Sequence, residues 1–410
     1  MSRWRPVGIL LVLVLALALV VAAPAAQPRP GPTPILILVS FDGWRWDYID
    51  RFPTTNLKAL ASRGVRATAL TSSFPSLTFP NHYTIVTGLY PAHHGIVANV
   101  MTDPSIAERF TMSAETAKDP AWWGGEPLWV TAIRQGRRAA TMFWPGSEVA
   151  IGGVRPTLWM PYEKALQSAD RVAQVLTWLA LPEAERPSFV SLYFDEVDSA
   201  GHDHGPDSRE LLEATRHLDD ALGQLVAGVR NLGLEDRTTF VIVSDHGMTP
   251  LSYGRLIYLD ALIDLETVDV LEWTGLLELT PRDGDVEALY RRLHGKHRSL
   301  AIYKRDELPA RLHYHDNVRI PAIIGIPDDG WAVVSSERLA QRELDAATHG
   351  YDPANRSMGA LFVAAGPTLR RGLVVKPFEN IHIYDLLCEV LQLAPAPNDG
   401  DPKVTRALFR

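Results

Sequence analysis

Cysteine is almost absent: Cys388 is the only one in 410 residues, so no disulfide can form within the chain. An animal extracellular protein of this size ordinarily carries several, and a bacterial envelope or periplasmic setting fits the composition better. Positive charge is also scarce. Lys and Arg number 40 against 48 Asp and Glu, a formal net charge of −8. That balance argues against a general nucleic-acid binder, which needs basic surface to displace counterions, and no sequence-specific nucleic-acid partner is expected. Neither internal repeats nor low-complexity tracts occur. What remains is ordinary globular material, 46% hydrophobic and 21% charged, long enough to bury a full core.

The N-terminus reads as a targeting segment. Ser2-Arg3-Trp4-Arg5 gives a positive start, Gly8 to Ala23 is an uncharged apolar run, and Ala23-Pro24-Ala25-Ala26 supplies small residues. This is the layout of a secretory signal peptide, assigned to 1–26, followed by a leader linker over 27–33 and a catalytic domain over 34–410. The alternative is an uncleaved anchor, because the apolar run approaches the roughly 20 residues that span a bilayer; a membrane partner is expected only in that case. Either way the mature chain is expected to be secreted or periplasmic. No cysteine lies near the leader, which rules out lipid modification there.

Beyond the leader, apolar runs rich in β-branched and aromatic residues occupy Ile35–Phe41, Ala139–Trp144, Phe189–Phe194, Thr239–Ser244 and Ala360–Ala364. Near-continuous hydrophobicity predicts strands buried on both faces, as in a parallel sheet. Helical spacing falls between them at Thr55–Arg63, Ala169–Leu179 and Ser208–Val229. The alternation predicts an α/β fold, an α/β/α sandwich with a mostly parallel central sheet. Between about 254 and 345 the rhythm breaks into short strands, turns and charged stretches, and an inserted smaller subdomain is expected there.

Three of the predicted strands run into the same kind of residue. The first ends at Asp42, the third at Asp195-Glu196-Val197-Asp198 followed by Gly201-His202, and the fourth at Asp245-His246-Gly247. Ligands gather at the carboxyl ends of strands in open α/β sheets, so these groups should converge. One such aspartate alone would be read as a helix cap or turn residue. Three together repel one another at a cost of several kcal/mol unless cations neutralise them. An acidic protein that handles anionic substrates would gain its local positive charge from those same metal ions. Asp198 and His202 are four residues apart, a spacing that lets a carboxylate and an imidazole reach one ion. His349, in His349-Gly350-Tyr351-Asp352, would by itself pass for a turn residue.

A hydroxyl nucleophile is sought in Phe74-Pro75-Ser76-Leu77-Thr78-Phe79-Pro80-Asn81-His82-Tyr83. Proline is tolerated in a helix's first turn, and Gly88 is a plausible C-cap. Thr78 is therefore expected at a helix N-terminus, where free N–H groups and the dipole favour phosphate. Local sequence leaves open whether Thr78 merely caps that helix. Ser72, Ser73 and Ser76 are hydroxyls on the same footing.

Taken together, these segments resemble the nucleotide pyrophosphatase/phosphodiesterase family of the alkaline phosphatase superfamily, in a bacterial single-domain form. Ser40-Phe41-Asp42-Gly43, the Phe74–His82 stretch, Gly88-Leu89-Tyr90-Pro91 with His94-Gly95-Ile96, and Phe143-Trp144-Pro145-Gly146-Ser147 carry the likeness. So do Asp198 with Gly201-His202, Ser244-Asp245-His246-Gly247-Met248, His349-Gly350-Tyr351-Asp352, and Ile381-His382-Ile383-Tyr384-Asp385-Leu386. The resemblance implies two Zn2+ per chain, one held by Asp198, His202 and His349 and the other by Asp42, Asp245 and His246. It implies Thr78 as nucleophile and second-zinc ligand, and Asn99 as donor to a phosphoryl oxygen. Phe79 and Tyr162 match an aromatic pair that sandwiches a nucleobase, and Tyr193 a pocket tyrosine, although sequence alone would equally allow core positions. Val197, Pro353 and Glu148 depart from the family pattern without removing a ligand. His82, His94 and His382 are read as structural.

The implied activity is hydrolysis of nucleotide phosphodiester or pyrophosphate bonds to nucleoside 5′-monophosphates through a phosphothreonine intermediate. A lysophospholipid or glycerophosphodiester substrate is the first alternative, and a phosphomonoesterase the second. A binding protein with a dead site would lack a ligand or the nucleophile, and neither is missing.

Overall fold

The computed structural model describes Met1 and residues 33–112 and 115–410. The expected signal peptide over 1–26 and the linker over 27–33 lie outside the described residues, apart from Met1 and Thr33. Among the described residues no helix is long and apolar enough to cross a membrane.

Eight strands build the central sheet: β1 (Ile35–Phe41), β2 (Val65–Ala67), β3 (Ala139–Met142), β4 (Leu158–Met160), β5 (Phe189–Phe194), β6 (Thr238–Val243), β7 (Phe362–Ala365) and β8 (Leu373–Val375). Their order across the sheet is β8-β2-β7-β6-β1-β5-β3-β4. β1 lies at the centre, parallel to β5 with Ser40 opposite Tyr193, and parallel to β6 with Ser40 opposite Val243. β7 alone runs against its neighbours, antiparallel to both β6 and β2. Its apolar run showed double-sided burial, which says nothing about direction, so the sequence could not distinguish it from the parallel strands. The β3 run was expected to reach Trp144. It stops at Met142 because Phe143 takes φ 64°, a left-handed backbone that leaves the sheet.

Alternation along β1 shows why the whole run is apolar. Ile35, Ile37, Val39 and Phe41 face one core, together with Val175, Leu218, Leu222 and Leu225. Leu36 and Leu38 face the other, with Ile85, Val86, Leu386 and Leu387. Helices α1 (Thr55–Ser62), α4 (Ser168–Leu179) and α6 (Arg209–Asn231) cover the first face. Helices α2 (Thr78–Thr87), α3 (Leu128–Arg134) and α7 (Ile383–Leu391) cover the second. A further helix, α5 (Glu196–His204), follows β5 directly and packs against α6. The architecture is the expected α/β/α sandwich.

The segment that broke the rhythm carries a second sheet. Val268–Glu272, Leu277–Pro281, Ile323–Pro327 and Leu300–Lys304 lie in that order, each antiparallel to its neighbour. It has its own core around Leu277, Leu279, Leu289, Leu293, Ile302 and Ile323.

α6 also organises α1. Asp219, buried inside α6, accepts the Asn56 and Leu57 backbone N–H groups at 2.9 and 2.8 Å. These are orphan donors of the first turn of α1, whose own N-cap residue Thr54 makes no capping bond. Asp219→Ala strands both donors and should lower the unfolding free energy by about 1–3 kcal/mol, read as a lower denaturant midpoint at unchanged slope. An unchanged midpoint would refute this cap.

Candidate metal centre

The sheet delivers its acidic ends to one edge. Asp42 follows β1, Asp245 and His246 follow β6 by way of Ser244, and Asp198 and His202 project from α5 just beyond β5. This last pair is four residues apart in the sequence. The helix sets them one turn apart on a common face. His349 arrives on a loop after Ala347–Thr348, a short strand that pairs with Thr249–Pro250 beyond His246. Gly43 permits the crowding. It sits at φ +65°, its N–H donates to Asp245 Oδ1 at 3.1 Å, and a Cβ there would lie 2.9 Å from the Asp198 Cα.

The six expected ligands fall into two neighbouring groups. His202 Nε2 and His349 Nε2 lie 3.5 and 3.8 Å from Asp198 Oδ1. His246 Nε2 lies 2.9 Å from Asp245 Oδ2 and 3.5 Å from Asp42 Oδ1. The rings of His246 and His349 stack at 3.6 Å, so the groups adjoin. Each imidazole is oriented from behind: His202 Nδ1 faces Ala347 O at 3.0 Å, His246 Nδ1 faces Gly247 O at 2.9 Å, and His349 Nδ1 faces Ser76 O at 2.9 Å. With Nδ1–H donating to a carbonyl, Nε2 keeps the free lone pair that a metal ligand needs.

Electrostatics point the same way. Asp42 Oδ1 and Asp198 Oδ1 are buried with no hydrogen-bond partner, and Asp245 Oδ2 has only the His246 imidazole beside it, which in a protein interior is costly unless a cation satisfies them. Burial, then repulsion from Asp245 and Asp198, drives the Asp42 carboxyl well above the usual carboxylate range. Burial also raises Asp198, partly offset by His202 and His246. Burial opposes the Asp245 anion too, yet His246 and His82 hold its carboxyl below that range. Burial, with His246 and His202 alongside, keeps His349 neutral. Oxygen and imidazole nitrogen donors in these numbers suit zinc.

Thr78 is the first residue of α2, and the N-cap position belongs to Leu77. Its hydroxyl stands 3.4 Å from His246 Nε2. Of the competing hydroxyls, Ser72 donates to Asp245 O at 2.6 Å and Ser73 to Asn380 Oδ1 at 2.8 Å, while Ser76 is fully buried. Gly88 closes α2 at φ 69°. The backbone donors expected at this helix start are mostly taken. Phe79 N–H donates to Asn99 Oδ1 at 3.0 Å, Pro80 has none, and Asn81 N–H donates to Leu77 O at 3.2 Å. The Phe79 bond engages the oxygen of the Asn99 amide and not its NH2.

The aromatic residues divide between two clusters. Phe79 packs against Phe110 and Trp123 at 5.9 and 6.1 Å. Tyr162 is exposed, 5.4 Å from Phe143 and 6.2 Å from Tyr193, and its hydroxyl donates to Asp195 Oδ2 at 3.0 Å. Asp195 in turn pairs with buried Arg171 at 3.0 Å. Tyr193 is committed elsewhere: its hydroxyl donates to Asp42 Oδ2 at 2.6 Å. His82, read from sequence as structural, faces Thr78 O at 2.9 Å and Ser40 Oγ at 2.8 Å, and its ring reaches the Asp42–Asp245 group. Its position one turn after Thr78 on α2 was the available signal. Nothing local marked Tyr193 or Asp195 as supports.

Residues 36–352 match the model of the type I phosphodiesterase / nucleotide pyrophosphatase family. The chain belongs to this family. It is similar to a venom phosphodiesterase of Crotalus durissus collilineatus, 40% identical over 373 residues, 88% of this chain and 44% of that protein. It is also similar to the rat (Rattus norvegicus) ectonucleotide pyrophosphatase/phosphodiesterase family member 3, 38% identical over 88% of this chain and 42% of the relative. The chain thus spans less than half the length of these relatives. Murine ectonucleotide pyrophosphatase / phosphodiesterase 5, solved as an inactive Thr-to-Ala variant in complex with AMP, superposes with a TM-score of 0.88 at 33% identity, over 92% of this chain and 100% of that one.

Within this family member, Tyr193→Phe tests the support behind the site. It removes only the donor to Asp42 and should weaken metal retention about 10- to 100-fold with the fold intact, measured by chelator competition. Unchanged affinity would show that the bond does not orient the ligand.

Proposed function

We propose that the chain is a two-zinc phosphodiesterase or nucleotide pyrophosphatase that acts through Thr78. One observation carries the reading: the Thr78 hydroxyl, free of any capping duty, stands 3.4 Å from His246 Nε2 in a centre where Asp42 and Asp198 each keep a buried carboxylate oxygen without a partner. Asp198, His202 and His349 would hold one zinc, and Asp42, Asp245 and His246 the other, with Thr78 beside the second. Bound there, zinc would lower the pKa of the hydroxyl, as it lowers that of water from 15.7 to about 7, and would offset charge on the apical oxygens.

The chain's own residues do the rest. Thr78 Oγ attacks phosphorus, the alcohol or phosphate leaves, and a phosphothreonine forms that water then hydrolyses. The N–H of Phe79 is occupied, so the Asn99 NH2 becomes the principal uncharged donor for an equatorial phosphoryl oxygen. His82 holds the first turn of α2 through the Thr78 carbonyl. Phe79 and Tyr162, from separate clusters, would close on the two faces of a base. A nucleotide substrate is supported by the AMP bound to the murine relative. The leader-like N-terminus and the single cysteine support an exported protein.

Thr78→Ala should abolish turnover of a dinucleotide while zinc content, measured by elemental analysis, stays near two per chain. A variant that retains appreciable activity would remove Thr78 from the mechanism.

A further inference from the structure

The second sheet reaches the site at one point. Its first strand ends at Glu272, where the pairing register slips between Val270 and Glu272. A slip of this kind re-aims a side chain. Glu272 Oε1 accepts the Val100 backbone N–H at 3.2 Å and so holds the Asn99–Val100 peptide, with the Asn99 N–H facing the same carboxylate. Glu272 therefore grips the backbone of the residue whose side chain holds Phe79 N–H. The loop is held on its other side as well. Tyr314 Oη lies 3.0 Å from Val97 O and 2.7 Å from Glu278 Oε1.

Glu278 is fully buried and sits directly opposite Glu272 in the sheet. A fully buried carboxylate beside a half-buried one is expensive, and apolar residues would serve the sheet's stability better. Burial pushes Glu272 up to about 7, eased by the Val100 and Asn99 N–H groups and by Arg338. Burial, then the Glu272 charge, pushes Glu278 up to about 8 against its Tyr314 bond. Nothing in the metal centre uses either group.

We infer that Glu272 is a positioning residue: from the second sheet it fixes the Asn99–Val100 backbone, and through it the Asn99 amide that faces the transferred phosphoryl group. This rests on the reading of Asn99 as a phosphoryl donor. It gives the inserted sheet a task in the reaction and assigns to Glu278 and Tyr314 the task of bracing the same loop.

The test is a double-mutant cycle in the zinc-loaded full chain, with a small chromogenic phosphodiester. Asn99→Ala should lower kcat about 100-fold, as expected for loss of one oxyanion donor. Glu272→Ala should lower kcat on the order of tenfold with KM little changed. Glu272→Gln should recover most of that loss, because its amide oxygen still accepts the Val100 N–H. Glu272→Ala should have no further effect in the Asn99→Ala background. Should Glu272→Ala fail to fold, Glu272→Asp, which withdraws the carboxylate by one methylene, takes its place. Equal losses from Glu272→Ala in both backgrounds, or a Gln variant as impaired as Ala, would overturn the positioning role while leaving Asn99 in place. A wild-type rate for Asn99→Ala would instead overturn the reading of Asn99, and the positioning role with it.

Discussion

Asp42, Asp198 and Asp245 are forced together at the carboxyl edge of the sheet, and their mutual repulsion is the constraint around which the rest is arranged. Asp42 and Asp198 each have a buried oxygen with no partner, and burial with like charge raises both carboxyls. No sheet would keep such a cluster for stability. Its compensation is built in. Three imidazoles, each anchored by Nδ1 to a backbone carbonyl, point Nε2 among those oxygens, and Tyr193 shares one carboxylate. The donor set is complete apart from the cations.

Most of this frame was readable before any coordinates. β1, β5 and β6 announce themselves by uninterrupted apolar runs, and a residue that follows such a run must sit at the sheet's edge. Asp42, Asp198, Asp245 and His246 were therefore placed by pattern alone. His349 was not: a His-Gly in a loop carries no periodic signal, and only the ordered likeness to a family singled it out. Local sequence left Thr78 open between cap and nucleophile, and the structure places the cap at Leu77.

What stayed hidden depends on contacts between distant segments. Tyr193 is 151 positions from the aspartate it bonds, and Glu272 is 172 from Val100. No periodicity or spacing rule reaches so far. The helix start misled for a related reason. Pro80 was legible as a missing donor, but the Asn99 side chain that takes Phe79 N–H lies on another segment. On the proposed reading, stabilisation of an equatorial oxygen would rest less on the Phe79 backbone amide, which Asn99 occupies, and more on the Asn99 amide, next to which Glu272 holds the Val100 N–H.

Everything proposed for this site requires that the clustered aspartates bind metal. The direct measurement is activity on a dinucleotide during stepwise return of zinc to chelator-stripped protein, with bound metal counted at each step. The structure predicts no turnover in the stripped protein and full recovery as the zinc count approaches two per chain. Undiminished turnover in protein shown to be metal-free would contradict it.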